Sequence, residues 1–122
     1  MSTILVVEDE PNVRKLVSVN LSQRGYNVLE AESGQQAWEH LNRQKPALVI
    51  LDIKLPDMSG WDILDELGNI PAISNNLPIL VMTASPVDQH AVLNQYPCVV
   101  EILVKPFNTD KLITAIQHAL QM

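Results

Sequence analysis

Short, unbroken apolar runs rich in β-branched residues return along the chain between segments with helical spacing, and this alternation limits the possible folds more than any other feature. Ile4-Leu5-Val6-Val7, Ala47-Leu48-Val49-Ile50-Leu51 and Ile79-Leu80-Val81-Met82 contain no polar residue. A strand with one wet face alternates, whereas a strand apolar at every position needs cover on both faces, as central strands have in a parallel sheet flanked by helices. Tyr26-Asn27-Val28-Leu29-Glu30 alternates more, and Val99-Val100-Glu101-Ile102-Leu103-Val104 carries a charge in its middle, which suits edge strands. Five strand-then-helix rounds fit within the 122 residues. That predicts an α/β fold with a doubly wound, five-stranded parallel sheet, and a single domain over residues 1–122.

The helical segments carry their own punctuation. Val13, Leu16, Val17 and Leu21 fall three or four apart and mark a first helix, opened by Pro11 and closed by Gly25. A second is predicted over Ser33 to Asn42, with Ser33 as its cap, Ala37, Trp38 and Leu41 turned inward, and Pro46 past its end. Trp61, Leu64 and Leu67 mark a third over Gly60 to Leu67, ending at Gly68. The fourth, near Val87 to Gln95, is poor in apolar residues and fenced by Pro86 and Pro97, so it is expected to be short or mobile. In the last, Asn108 serves as cap, Asp110 suits the positive end, and Leu112, Ile113, Ile116, Ala119 and Leu120 form the buried stripe. Asn69 to Pro78, with two prolines and three asparagines, reads as a loop.

A net charge of −6 argues against a nucleic-acid or anionic-membrane surface, since phosphate-rich partners repel such a field. Output through protein contacts is expected instead. Cys98 is the only cysteine, so no disulfide closes within the chain. The N-terminus shows no basic leader, and no apolar run approaches the roughly 20 residues of a membrane-spanning helix. A cytoplasmic location is the expectation.

Chemistry is concentrated at the strand ends. Glu8 and Asp9 follow the first strand and Asp52 the third, while Thr83 ends the fourth and Lys105 the fifth. The carboxyl ends of the strands form the ligand-binding rim of a parallel α/β sheet, and if the strand order is 2-1-3-4-5 the three acids meet at a switch point. Three like charges so close repel and raise one another's pKa unless a cation sits between them. Oxygen ligands and a half-open site suit Mg²⁺. An acyl-phosphate on Asp52 would have its oxygens matched by the metal, the Thr83 hydroxyl and the Lys105 ammonium.

The segments Val6-Val7-Glu8-Asp9-Glu10-Pro11, Leu51-Asp52-Ile53-Lys54-Leu55-Pro56-Asp57-Met58-Ser59-Gly60, Val81-Met82-Thr83-Ala84 and Val104-Lys105-Pro106-Phe107 together resemble the receiver domains of two-component response regulators, in the right order from Ile4 onward. The resemblance implies a flavodoxin-like (βα)5 three-layer sandwich with order 2-1-3-4-5. It implies a phosphorylatable switch rather than an enzyme acting on a separate substrate. Asp52 would be the phosphoacceptor, taking its phosphoryl group from a phosphohistidine of a sensor kinase or phosphotransfer protein and signalling to a downstream protein target. Asp9, Asp52 and the Lys54 carbonyl would bind Mg²⁺ directly and Glu8 through a water, Thr83 and Lys105 would contact the phosphoryl oxygens, and Lys105-Pro106 would be cis.

Rival readings fit less well. An FMN carrier of the same fold would need a Ser/Thr/Gly-rich phosphate loop where Glu8-Asp9-Glu10 stands. An aspartyl phosphatase typically places a second acid two residues after the nucleophile, where this chain has Lys54. A scaffold that had lost phosphorylation would lack one of the five rim residues. His40, His90 and His118 are expected on solvated helix positions, Cys98 as a small buried hydrophobe, and Trp38 and Trp61 in the core. One departure from the family pattern stands three residues before Lys105, where most receivers carry an aromatic switch residue and this chain has Ile102.

Overall fold

The computed structural model describes residues 2–121. Five strands, β1 (Thr3–Val7), β2 (Asn27–Ala31), β3 (Leu48–Asp52), β4 (Ile79–Thr83) and β5 (Val99–Val104), form one parallel sheet in the order β2-β1-β3-β4-β5. Helices α1 (Pro11–Gln23), α2 (Gly34–Arg43), α3 (Gly60–Gly68), α4 (Pro71–Ser74) and α5 (Gln89–Gln95) connect them, and α6 (Thr109–Gln121) follows β5.

The unbroken apolar strands divide residue by residue between two cores. Leu5, Val7, Val49, Leu51, Ile79 and Val81 face one side, where α2, α3 and α5 pack through Ala37, Leu41, Ile63, Leu64, Leu67 and Val92. Their alternates Ile4, Val6, Leu48, Ile50, Leu80 and Met82 face α1 and α6 through Val17, Leu21, Leu112 and Ile116. Each central strand thus buries both faces, and the period of two is hidden because both sets are apolar. Leu16 faces outward and is exposed, so it marks the helix without contributing to its buried side, which is Val17, Ser18 and Leu21.

Caps fix where the helices begin. Ser33 Oγ accepts from the Gln36 amide, Asp88 from Ala91, and Asn108 Oδ1 from Lys111 at 2.8 Å. Ser59 and Asp62 form a reciprocal capping box on α3. Gly25 takes φ 88° after α1, a left-handed turn that favours glycine. The fourth predicted helix is indeed short, seven residues with Val92 alone buried. The stretch from Asn69 to Pro78 is not all loop: Pro71 stands in the first turn of α4, where a missing N–H costs nothing, and Asn75 N bonds to Pro71 O at 2.9 Å. No helix among the described residues is long and apolar enough to cross a membrane.

Candidate functional site

Strand register brings the chemistry together. Val7 pairs with Leu51, Asp52 with Met82, and Thr83 with Val104, so Glu8, Asp52, Thr83 and Lys105 stand at neighbouring strand ends. Asp52 is the last residue of β3 rather than one past it. All six residues singled out in the sequence, Glu8, Asp9, Asp52, Lys54, Thr83 and Lys105, line one open pocket of about 470 Å³ at the carboxyl rim.

The acids converge as the switch point requires. One carboxylate oxygen from each of Glu8, Asp9 and Asp52 lies within 4.8 Å of the other two. Glu8 and Asp52 are buried and Asp9 is exposed. Lys105 reaches between the buried pair: its Nζ bonds to Glu8 Oε1 and stands 3.2 Å from Asp52 Oδ2. Two carboxylates on one ammonium leave an excess of negative charge, and the pocket therefore holds protons tightly. Burial, then the Asp52 carboxylate beside it, push Glu8 from an ordinary 4.5 up to about 7 against the pull of Lys105. Burial works against the Lys105 ammonium, but the bonded Glu8 and the Asp52 charge outweigh it and raise its pKa. An oxygen-only donor set, two parts buried and one part open, fits a small hard divalent cation.

The remaining rim groups are held by their loops. Thr83 Oγ1 donates to Ser85 O at 3.1 Å and accepts from Ser85 N at 3.2 Å. The Lys54 amide lies 3.4 Å from Asp52 Oδ1. Gly60 lets α3 close on the end of β3: its amide donates to Ile53 O at 2.7 Å, and a Cβ there would meet Asp52 O at 2.7 Å and Ile53 Cα at 2.8 Å. The Lys105-Pro106 peptide is cis, as expected.

Two residues beside the pocket make contacts that the sequence pattern does not assign. Asp57, in the loop after β3, accepts from the Gly34 and Gln35 amides at 2.8 and 3.0 Å, and those bonds hold its carboxyl below the usual range. Arg14 contacts the Glu8 carbonyl and Glu30. Both act on backbone groups or on side chains far along the chain, which no local pattern announces. The histidines divide: His90 is exposed, His40 Nε2 meets Glu30 O at 3.0 Å, and His118 Nδ1 meets Glu101 Oε2 at 2.8 Å. Cys98 is half-buried, with its thiol pKa raised by that burial. Trp38 packs against the core and Trp61 is half-buried, stacks on Tyr96 with centroids 5.6 Å apart and borders the pocket. Ile102 is buried against the core that holds Val81 and Val92.

Comparison with known proteins gives a consistent result. A family model described as the response regulator receiver domain matches residues 4–117. The transcriptional regulatory protein GlrR of Escherichia coli is 35% identical over 118 residues, 97% of this chain and 26% of that protein. The probable transcriptional regulatory protein TcrX of Mycobacterium tuberculosis is 33% identical over 119 residues, 98% of this chain and 50% of that protein. The chain therefore spans only a quarter to a half of these relatives. Among solved structures, the signal receiver domain of a putative Luxo repressor from Vibrio parahaemolyticus superposes with TM-score 0.85 at 32% identity, covering 98% of this chain and 90% of that one. The response regulator TrrA of Thermotoga maritima, solved in complex with Mg²⁺-BeF, gives TM-score 0.76 at 34% identity, covering 96% and 97%.

Proposed function

The chain belongs to the response regulator receiver family, and from that premise we propose that Asp52 is the carboxylate that accepts the phosphoryl group. The observation that carries this is the convergence of Glu8, Asp9, Asp52, Thr83 and Lys105 on one pocket at the carboxyl ends of β1, β3, β4 and β5. An Asp52 oxygen bonds to phosphorus while the phosphorus–nitrogen bond of a partner's phosphohistidine breaks, its electron pair returning to the imidazole, which then takes a proton. Asp9, Asp52, the Lys54 carbonyl and, through water, Glu8 would hold Mg²⁺, which supplies Lewis-acid neutralisation of the phosphoryl oxygens. Lys105 already spans Glu8 and Asp52, and a phosphoryl group on Asp52 gives its ammonium a new acceptor. Thr83 must leave its turn with Ser85 to donate to the same group.

That release is also the reading for signal transmission. Ile102 is β-branched, buried and without a hydroxyl, so it cannot swing as an aromatic ring would. Movement of Thr83 and the Ala84 to Val87 loop against the short α5 carries the change instead. The partners proposed are a sensor histidine kinase or phosphotransfer protein upstream and a protein target downstream, with hydrolysis of the acyl-phosphate returning the switch to rest.

Incubation with MgCl₂ and acetyl phosphate is expected to add one phosphoryl group by intact mass, and Asp52→Asn to lose it. Full labelling of Asp52→Asn would overturn the assignment. Asp9→Ala is expected to abolish Mg²⁺ binding in a calorimetric titration while leaving the melting temperature in chelator unchanged or raised, because a like charge has been removed. A drop of several degrees in that melt would count against the crowded-acid account.

A further inference from the structure

We propose that Arg14 is a positioning residue for the metal, aiming the acid-bearing turn after β1; this rests on the reading of Glu8, Asp9 and Asp52 as the Mg²⁺ pocket. Arg14 sits in the first turn and a half of α1 with its side chain only 17% exposed. Its Nη1 donates to the Glu8 carbonyl at 2.9 Å and lies 3.5 Å from the Asp9 carbonyl. Nε donates to Glu30 Oε1 at 3.2 Å, and Nη2 lies 3.8 Å from Glu32 Oε2. One planar group therefore ties the β1–α1 turn to the end of β2. Among the described residues no side chain bonds to the Asp9 carboxylate, so its direction is set by a backbone whose carbonyls Arg14 holds.

Charge and geometry make opposite demands here. A cation beside three acids weakens divalent metal binding by simple repulsion. If Arg14 acted only through charge, its removal would tighten Mg²⁺; if it positions the turn, removal loosens Mg²⁺. A lysine keeps the charge, but a single ammonium cannot reach the two carbonyls and both Glu30 and Glu32 as a rigid fork does.

The test is calorimetric titration with MgCl₂ on the wild-type chain and on Arg14→Lys, Arg14→Gln and Glu30→Gln, with melts in chelator alongside. Arg14→Lys and Arg14→Gln are both expected to weaken Mg²⁺ about tenfold or more, the range for loss of a group that orients a metal ligand. Glu30→Gln, which removes the charge of one far anchor while Glu32 and the turn stay in place, is expected to weaken it about threefold. In metal-free NMR spectra, the amide signals of Glu8 to Glu10 should broaden in Arg14→Lys relative to wild type. Arg14→Lys binding as wild type does, with Arg14→Gln equal or tighter, would overturn the proposal, as would a lower melting temperature with unchanged Mg²⁺ affinity. If wild type and Asp9→Ala bind Mg²⁺ equally, the metal reading fails first and this inference falls with it.

Discussion

In the presence of chelator, the unfolding free energy of the chain is expected to fall by about 3 kcal/mol as the pH rises from 4.5 to 8, and Glu8→Gln is expected to abolish that fall. Glu8 is fully buried and its pKa rises from 4.5 to about 7 on folding. Below pH 4.5 the side chain is protonated in both folded and unfolded states and costs nothing. Between 4.5 and about 7 the unfolded glutamate ionises while the folded one keeps its proton, so the folded state loses ground with every unit at ~1.4 kcal/mol. Above about 7 both forms are ionised and the whole cost is present. Asp57, whose pKa is lowered, contributes stability that is lost only as the pH falls below the ordinary carboxylate range. Lys105, whose pKa is raised, contributes stability lost only above the ordinary lysine range, so neither distorts the window. Denaturant titrations at pH 5, 6, 7 and 8 would measure the slope. At pH 8 the Glu8→Gln chain should exceed wild type by about 2 kcal/mol, the remainder going to the lost bond with Lys105. A slope identical in the two proteins would remove Glu8 as its source. Saturating Mg²⁺ should restore wild-type stability at pH 8, because whatever binds the folded state alone stabilises it.

The same substitution at the two ends of α3 should act with opposite sign. At Gly60 an added Cβ would press on Asp52 O and Ile53 Cα, backbone atoms that cannot rotate away. Gly60→Ala is therefore expected to cost about 1–3 kcal/mol, as overpacking does. Because the relief must come from moving β3's end, labelling of Asp52 by acetyl phosphate should slow by about 100-fold, the scale of a misplacement near 1 Å. At Gly68 an added Cβ meets nothing within 4 Å. Gly68→Ala is expected to gain about 0.5 kcal/mol through reduced freedom of the unfolded chain, with labelling unchanged. Thermal melts and labelling time courses on the two variants would decide the point. A Gly60→Ala protein that melts and labels like wild type would show that α3 does not hold Asp52 in place.

The particular residues show what the sequence could and could not reveal. Ile4 to Val7, Leu48 to Leu51 and Ile79 to Met82 announced buried central strands because both their faces are apolar, and the edge strands were legible from Glu30 and Glu101. The rim residues were legible because parallel strands end together, so the residue after each run arrives at one place. Helix α4 is hidden in the sequence because Pro71, a breaker inside a helix, is a starter in a first turn. Arg14 and Asp57 were hidden for a different reason. Arg14 holds the Glu8 and Asp9 carbonyls and Asp57 the Gly34 and Gln35 amides, main-chain groups present at every position and therefore invisible in the letters.

The contact between Lys105 and Glu8 joins residues 97 apart. Three acids gather when β1 and β3 pair, but the cation that offsets them arrives with the residue after β5. Closing so long a loop is entropically slow, so on any route where β1 and β3 pair before β5 docks, neutralisation of the pocket comes last. Any folding intermediate in which β1 and β3 have paired before β5 docks presents an uncompensated anionic rim. Divalent cations in the refolding buffer would favour that intermediate by offsetting Glu8, Asp9 and Asp52 before Lys105 arrives.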